Sequence, residues 1–303
     1  MSNRIKVFQP EVFSLSQNWS EYLKKNGFVV LTDIITPHQQ ETALNMFKKD
    51  LSQISPQFNW EDPESWNSTN TPIVWGKSSA VFNGFAHCDT IWYLRTQSKA
   101  HQAFSQIYDT TELAVSFDGM SLFVSKKQKS PPWLHQDQKA SDQRLSVQGI
   151  LNVLPCGEQD AGFICVVGSH KSYQAPTSKA DWVMLPRDSE YYNQAVKLLT
   201  PERSLILFYS KLIHANTGTT KTSPGLNRLS AYITFVPKSR RSDSVYTQRV
   251  QGYFSGECCS HWADRYEPKK IPFYIRKKFQ NNFSELAPTT INGEIPLERL
   301  KFF

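Results

Sequence analysis

The chain has 303 residues, of which 39% are hydrophobic, 20% charged and 13% aromatic. That balance supports a large buried core and excludes a disordered or fibrous chain. The net charge of +7 and a pI near 9.0 favour acidic ligands in general terms and say nothing about fold.

The N-terminal third reads as helices around one short strand. Trp19, Tyr22 and Leu23 share a helical face, and Gly27 is a natural stop. Phe28 to Leu31 is a short buried strand. Thr36, Pro37 and Gln39 then form a capping signal for a helix with Leu44, Phe47, Leu51 and Ile54 on its apolar face. Residues 55–85 are loop-like and weigh evenly between a lid or pocket wall and an ordinary connection. A helix is expected over 99–108. From Met120 the pattern changes to short β-type runs separated by turns: SLFVS, RLSVQGILNVL, GFICVV, SLILFY and RLSAYITFV. Between Pro186 and Pro201 the residues 188–199 predict a helix. The expected architecture is mainly β with α: a jelly-roll core over 119–238, a helical N-terminal cover over 1–118, and a C-terminal extension over 239–303. No apolar run reaches membrane-spanning length and the opening residues carry no secretory pattern. The five cysteines show no zinc spacing, so a reduced, cytoplasmic compartment is expected.

Chemistry concentrates at His135-Gln136-Asp137 and at His214. Two imidazoles and one carboxylate form the facial triad that holds Fe(II) while leaving positions open for a chelating cosubstrate and O2. The motif His-x-Asp alone is weak: about 0.3 copies are expected by chance in such a chain, and a second copy, His87-Cys88-Asp89, is present. That copy leads from loop into helix, whereas His135 lies between two strand runs and His214 follows SLILFY. Arg228, at the start of RLSAYITFV, offers a guanidinium fork for a carboxylate. Other histidines and basic groups have blander readings. His170 reads as a turn residue, Lys211 as solvated ahead of a place at the pocket mouth, and Ser260-His261-Trp262 as packing ahead of substrate contact. The basic runs 126–129, 240–241 and 276–278 read as solvated faces, too dispersed for a nucleic-acid stripe.

The ordered set HQD, GFICVVGSHK, LIHANTG and NRLSAYITFVP resembles the phytanoyl-CoA dioxygenase-like family of Fe(II)/2-oxoglutarate oxygenases over most of the chain. The resemblance implies a double-stranded β-helix, iron on His135, Asp137 and His214, and 2-oxoglutarate on Arg228. Gln148 and Asn216 are further candidates for cosubstrate contacts. Ala161 stands where the family often has a glycine. The retained Asp137 argues against a halogenase, whose site has a small residue there. His87, Trp92 and Arg95 either line the substrate pocket, with Arg95 receiving an anion, or pack the N-terminal helices on the sheet. The expected reaction is hydroxylation of a small molecule with release of succinate and CO2. The alternatives are a catalytically silent binding protein on the same fold and a nucleic-acid-directed module. No peroxisomal ending is present.

Overall fold

A computed structural model describes residues 5–67, 69–72, 79–82, 84–124, 133–173, 176, 178, 180–223, 225–271 and 282–303. The basic runs at 126–129 and 276–278 lie outside them.

The elements follow in order: β1 (Lys6–Phe8), β2 (Val12–Phe13), α1 (Ser20–Asn26), β3 (Phe28–Leu31), α2 (Pro37–Ile54), β4 (Ser79–Ala80), α3 (Asp89–Arg95), α4 (Ser98–Tyr108), β5 (Leu113–Val115) and β6 (Met120–Phe123). Then come β7 (His135–Gln136), β8 (Val147–Asn152), β9 (Gly162–Cys165), α5 (Ser169–Ser172), β10 (Val183–Met184), α6 (Tyr191–Gln194), β11 (Val196–Leu198), β12 (Ser204–Tyr209), β13 (His214–Thr217), β14 (Arg228–Tyr232), β15 (Phe235–Pro237) and α7 (Asp243–Phe254). Two sheets dominate, ordered β1-β11-β9-β13-β7-β10 and β2-β3-β12-β8-β14-β6-β4. This is the β-rich, jelly-roll type of core that the strand pattern predicts.

Alternation along the strands assigns each side chain to a layer. On the larger sheet Phe28, Val30, Ile150, Ile206 and Phe208 face the smaller sheet, where they meet Phe163, Cys165 and Leu198. The intervening Val29, Leu31, Leu151, Leu205 and Leu207 face the helices and pack with Phe47, Leu51 and Phe104. The outer side of the smaller sheet is covered by a third cluster around Leu134, Ile164, Ile213 and Ala215. Strands buried on both faces explain why SLILFY and FVVL are almost continuously apolar.

Local signals in the N-terminal part have physical counterparts. The Thr36 hydroxyl accepts from the Gln39 N–H at 3.2 Å, and the Gln39 side chain accepts from the Thr36 N–H at 2.8 Å. Gly27 ends α1 at φ 85°, and a Cβ there would lie 2.5 Å from His170 Nδ1 and 2.6 Å from Leu212 Cδ1. Two expectations need correction. The N-terminal part is more than a cover with one strand: β1 pairs with β11, and β2 and β3 extend the larger sheet. The helix expected over 188–199 is a single turn followed by β11. Leu198 joins the core between the sheets, and Lys197 points the other way to donate to the carbonyls of Glu158 (2.7 Å) and Asp160 (2.6 Å).

The described part of 55–85 is a connection, not a lid. Phe58 stacks on Trp66 at 5.6 Å, and Trp60 meets Phe47 of α2 at 5.9 Å.

Candidate metal centre

β7 and β13 are neighbours, and His135 and His214 are paired across them. Their ring centroids are 4.4 Å apart. Asp137 follows β7 and is held by its N–H to the Ser210 carbonyl at 2.9 Å. The intervening Gln136 turns away and donates to the Lys211 carbonyl. Among the described residues, His135, Asp137 and His214 form a group whose three donor atoms all lie within 4.8 Å of one another.

The outer hydrogen bonds determine what those atoms offer. His135 Nδ1 donates to the Trp133 carbonyl at 3.1 Å, and His214 Nδ1 donates to the Leu212 carbonyl at 2.9 Å. Both Nε2 lone pairs are thereby turned inward, the usual outer-shell arrangement of metal-binding imidazoles. His135 Nε2 lies 3.4 Å from one Asp137 oxygen and His214 Nε2 3.3 Å from the other. Burial and the neighbouring His135 charge lower the His214 pKa, which favours neutral imidazole. Burial alone would raise the Asp137 carboxyl, but positive charge at the two Nε2 positions, as protonated imidazoles supply, holds it well below the usual carboxylate range. Two lone pairs and a carboxylate crowded this closely repel one another unless a cation lies between them. The donor set therefore fits a divalent metal with N2O ligation.

Rings fix the ligands in place. Trp133 stacks on His135 at 4.5 Å with the planes 2° apart. Phe163 and Phe208 lie 5.5 and 4.7 Å from His214.

Gln148, expected against the cosubstrate, donates to Asp137 Oδ2 at 2.9 Å and to Ser210 Oγ at 3.1 Å. It also lines the cavity. Arg228 is buried at 5% exposure and has no carboxylate partner among the described residues. Its Nη1 donates to Asn216 Oδ1 at 2.9 Å and its Nε to Ser230 Oγ at 3.2 Å. Asn216 itself lines the cavity and donates to the Tyr232 hydroxyl at 3.1 Å. Arg228 shares its face of β14 with Tyr232 by alternation, and stands behind Asn216, outside the cavity lining.

His87, Trp92 and Arg95 do not line the cavity, which corrects the substrate-pocket expectation. Each is at most 1% exposed. His87 Nε2 donates to the Glu257 carbonyl at 2.8 Å, and Trp92 Nε1 donates to His87 Nδ1 at 3.3 Å. Arg95 donates to the Ala86 carbonyl at 2.8 Å and to the Asp118 carbonyl, with its guanidinium over Trp92. Hydrogen bonding at the helix–sheet junction takes up His87, Trp92 and both terminal nitrogens of Arg95; Arg95 Nε is left buried without a partner, outside the cavity lining. His170 is a turn residue as expected: its Nε2 donates to the Lys24 carbonyl at 3.1 Å.

The cavity over the metal centre measures about 730 Å³. Its roof was missed by the sequence reading. Trp182, His261, Trp262 and Arg265 close over the site, and Asp118 and Lys269 form an ion pair of 2.9 Å on its wall. Arg144 and Arg265 lie 5.6 and 4.3 Å from the centre of the Trp262 ring. Both arginines bind Asp142, at 2.7 and 3.3 Å. Ser260-His261-Trp262 reads as packing ahead of substrate contact until the C-terminal segment is placed beside the site.

The architecture is the one found in alpha-ketoglutarate-dependent non-heme enzymes. The carbocyclase SnoK from nogalamycin biosynthesis superposes with a TM-score of 0.51 at 10% identity, over 73% of this chain and 83% of that one. The non-heme monooxygenase ThoJ gives 0.50 at 15% identity, over 73% of this chain and 77% of that one. At the sequence level the chain is 27% identical over 159 residues to Ava biosynthesis cluster protein O of Aspergillus versicolor. That match spans 52% of this chain and about half (51%) of the relative's length. No family model matches the sequence. No helix among the described residues is long and apolar enough to cross a membrane.

Proposed function

We propose that this chain is an Fe(II)- and 2-oxoglutarate-dependent oxygenase of the phytanoyl-CoA dioxygenase-like type that hydroxylates a small molecule. The observation that carries the reading is the inward convergence of His135 Nε2, Asp137 and His214 Nε2, with both Nδ1 atoms already committed to backbone carbonyls. Iron with 2-oxoglutarate would supply activation of O2 coupled to decarboxylation of the cosubstrate to succinate.

The chain's own residues do the rest. His135, Asp137 and His214 would hold the metal, at the wall of the cavity that they line. Gln148 fixes the Asp137 carboxylate so that its oxygens do not swing away from the metal. Arg228 is a buried cation without a carboxylate of its own, and Asn216 orients its fork; together they suit the remote carboxylate of 2-oxoglutarate. Phe163, Phe208 and Trp133 exclude water around the ligands and orient the imidazoles.

The test is succinate release from purified protein given Fe(II), 2-oxoglutarate and O2, with and without small-molecule candidates. Succinate above a metal-free control, lost in Asp137→Ala, is expected. No succinate from metal-loaded protein with any candidate would favour the silent binding protein.

A further inference from the structure

The wall of the cavity carries a polar group that the metal chemistry does not use. His261 is 9% exposed, lines the cavity, and its Nε2 has no hydrogen-bond partner. A buried imidazole nitrogen left without a partner is costly, which marks it as a group awaiting a ligand. It shares the cavity wall with Asp137 and His214 and with the Asp118–Lys269 ion pair. The ion pair engages Lys269 with Asp118, whereas His261 Nε2 has no partner among the described residues and is free to meet an incoming molecule.

The rest of the lining is of a different kind. Trp182 is 50% exposed at the cavity mouth, 5.9 Å from the His135 ring. Among the described residues no other ring packs on it. Trp262, Phe163, Phe208 and Tyr232 continue the aromatic surface around the cavity. Flat rings set round a cavity of about 730 Å³ suit a ring-bearing small molecule, which Trp182 would cover. Trp262 is not free to swing aside, because Arg144 and Arg265 both lie against its ring and are tied to Asp142, Asp181 and Asp264. The aromatic surface is thus preformed, and Trp133 Nε1 and His261 Nε2 are the buried nitrogens of its wall left without a partner among the described residues; of the two, only the imidazole can accept as well as donate.

Resting on the oxygenase reading, we infer that the substrate is a largely apolar, ring-bearing small molecule with a hydrogen-bonding oxygen, its ring against Trp182 and its oxygen on His261. In this arrangement His261 is a specificity-determining residue. It selects which face and which end of the ring system meets the metal, while the aromatic residues supply most of the affinity.

A matched pair of probes separates the two contributions without turnover. Binding of 2-naphthol and of naphthalene is measured by quenching of tryptophan fluorescence, with metal-loaded and metal-free protein. The wild type is expected to bind 2-naphthol about fivefold more tightly than naphthalene, the size of one neutral hydrogen bond. His261→Ala should erase that ratio and leave naphthalene binding unchanged, and His261→Gln should restore part of it. Trp182→Ala should weaken both probes alike. A His261→Ala protein that is folded by circular dichroism and keeps the wild-type ratio would overturn the assignment to His261. Failure of either probe to bind wild type would overturn the ring-bearing substrate class. Divalent-metal binding, measured on the same samples, reports on the oxygenase reading: its loss would sink that reading, whereas metal binding without probe binding sinks only the present inference.

Discussion

Gln148→Ala should weaken divalent-metal binding without touching a ligand. In the wild type the Gln148 amide donates to Asp137 Oδ2 at 2.9 Å and to Ser210 Oγ at 3.1 Å, and Ser210 Oγ is itself 2.7 Å from Ser146 Oγ. The carboxylate is thus one end of a buried chain anchored on β8. A hydrogen bond to a charged group contributes about 1.5–3 kcal/mol. Removing it frees the carboxylate to rotate and leaves Ser210 without this donor. At about 1.4 kcal/mol per decade, metal affinity should fall roughly ten- to hundredfold, the range typical of residues that orient metal ligands. The assay is competition for Mn(II) or anaerobic Fe(II) against a chromophoric chelator, with circular dichroism as the fold control. Gln148→Glu should be worse than Ala, because it sets a second carboxylate against Asp137. A folded Gln148→Ala protein with wild-type metal affinity would refute the claim that this amide positions the ligand.

Arg228→Lys keeps the charge but loses the fork and its bond to Asn216, so 2-oxoglutarate affinity of metal-loaded protein should drop roughly tenfold or more by calorimetry. Phe28→Ala removes a fully buried ring between the two sheets and should cost about 3–5 kcal/mol in urea unfolding; a loss near zero would return the N-terminal strands to the status of a cover. The hydrogen bonds and charge of Arg144 hold the Asp142 carboxyl far below its ordinary value. A carboxyl depressed in the folded state stabilises above its unfolded pKa of about 3.9 and loses that contribution as pH falls from there toward the folded value. Asp142→Asn should therefore flatten the acid side of the stability profile below about pH 4, read by thermal melts across pH.

The grouping of His135, Asp137 and His214 was legible in the sequence because the chemistry restricts it. Few residue types make a facial triad, and a His-x-Asp between strands with a histidine after a buried strand leaves few ways to assemble one. The layer assignment was legible in the doubly apolar runs at Phe28 to Leu31 and Ser204 to Tyr209. The stretch from Val196 to Leu198 was not, since three residues of alternation carry too little signal to oppose a helical reading. His87, Trp92 and Arg95 misled for a different reason. Polar and aromatic residues suit a pocket and a hydrogen-bonded core junction equally well, and only the carbonyls of Ala86, Asp118 and Glu257 decide between them. His261 and Trp262 were illegible because their place depends on where the C-terminal segment crosses the cavity. No local pattern encodes that long-range packing.

The most direct test of the central claim is calorimetric titration of 2-oxoglutarate into metal-free protein, metal-loaded protein and metal-loaded His214→Ala. A shared centre on His135, Asp137 and His214 predicts one 2-oxoglutarate bound per chain, only to the metal-loaded wild type. Equal binding to all three samples, or metal uptake by His214→Ala as tight as by wild type, would contradict it.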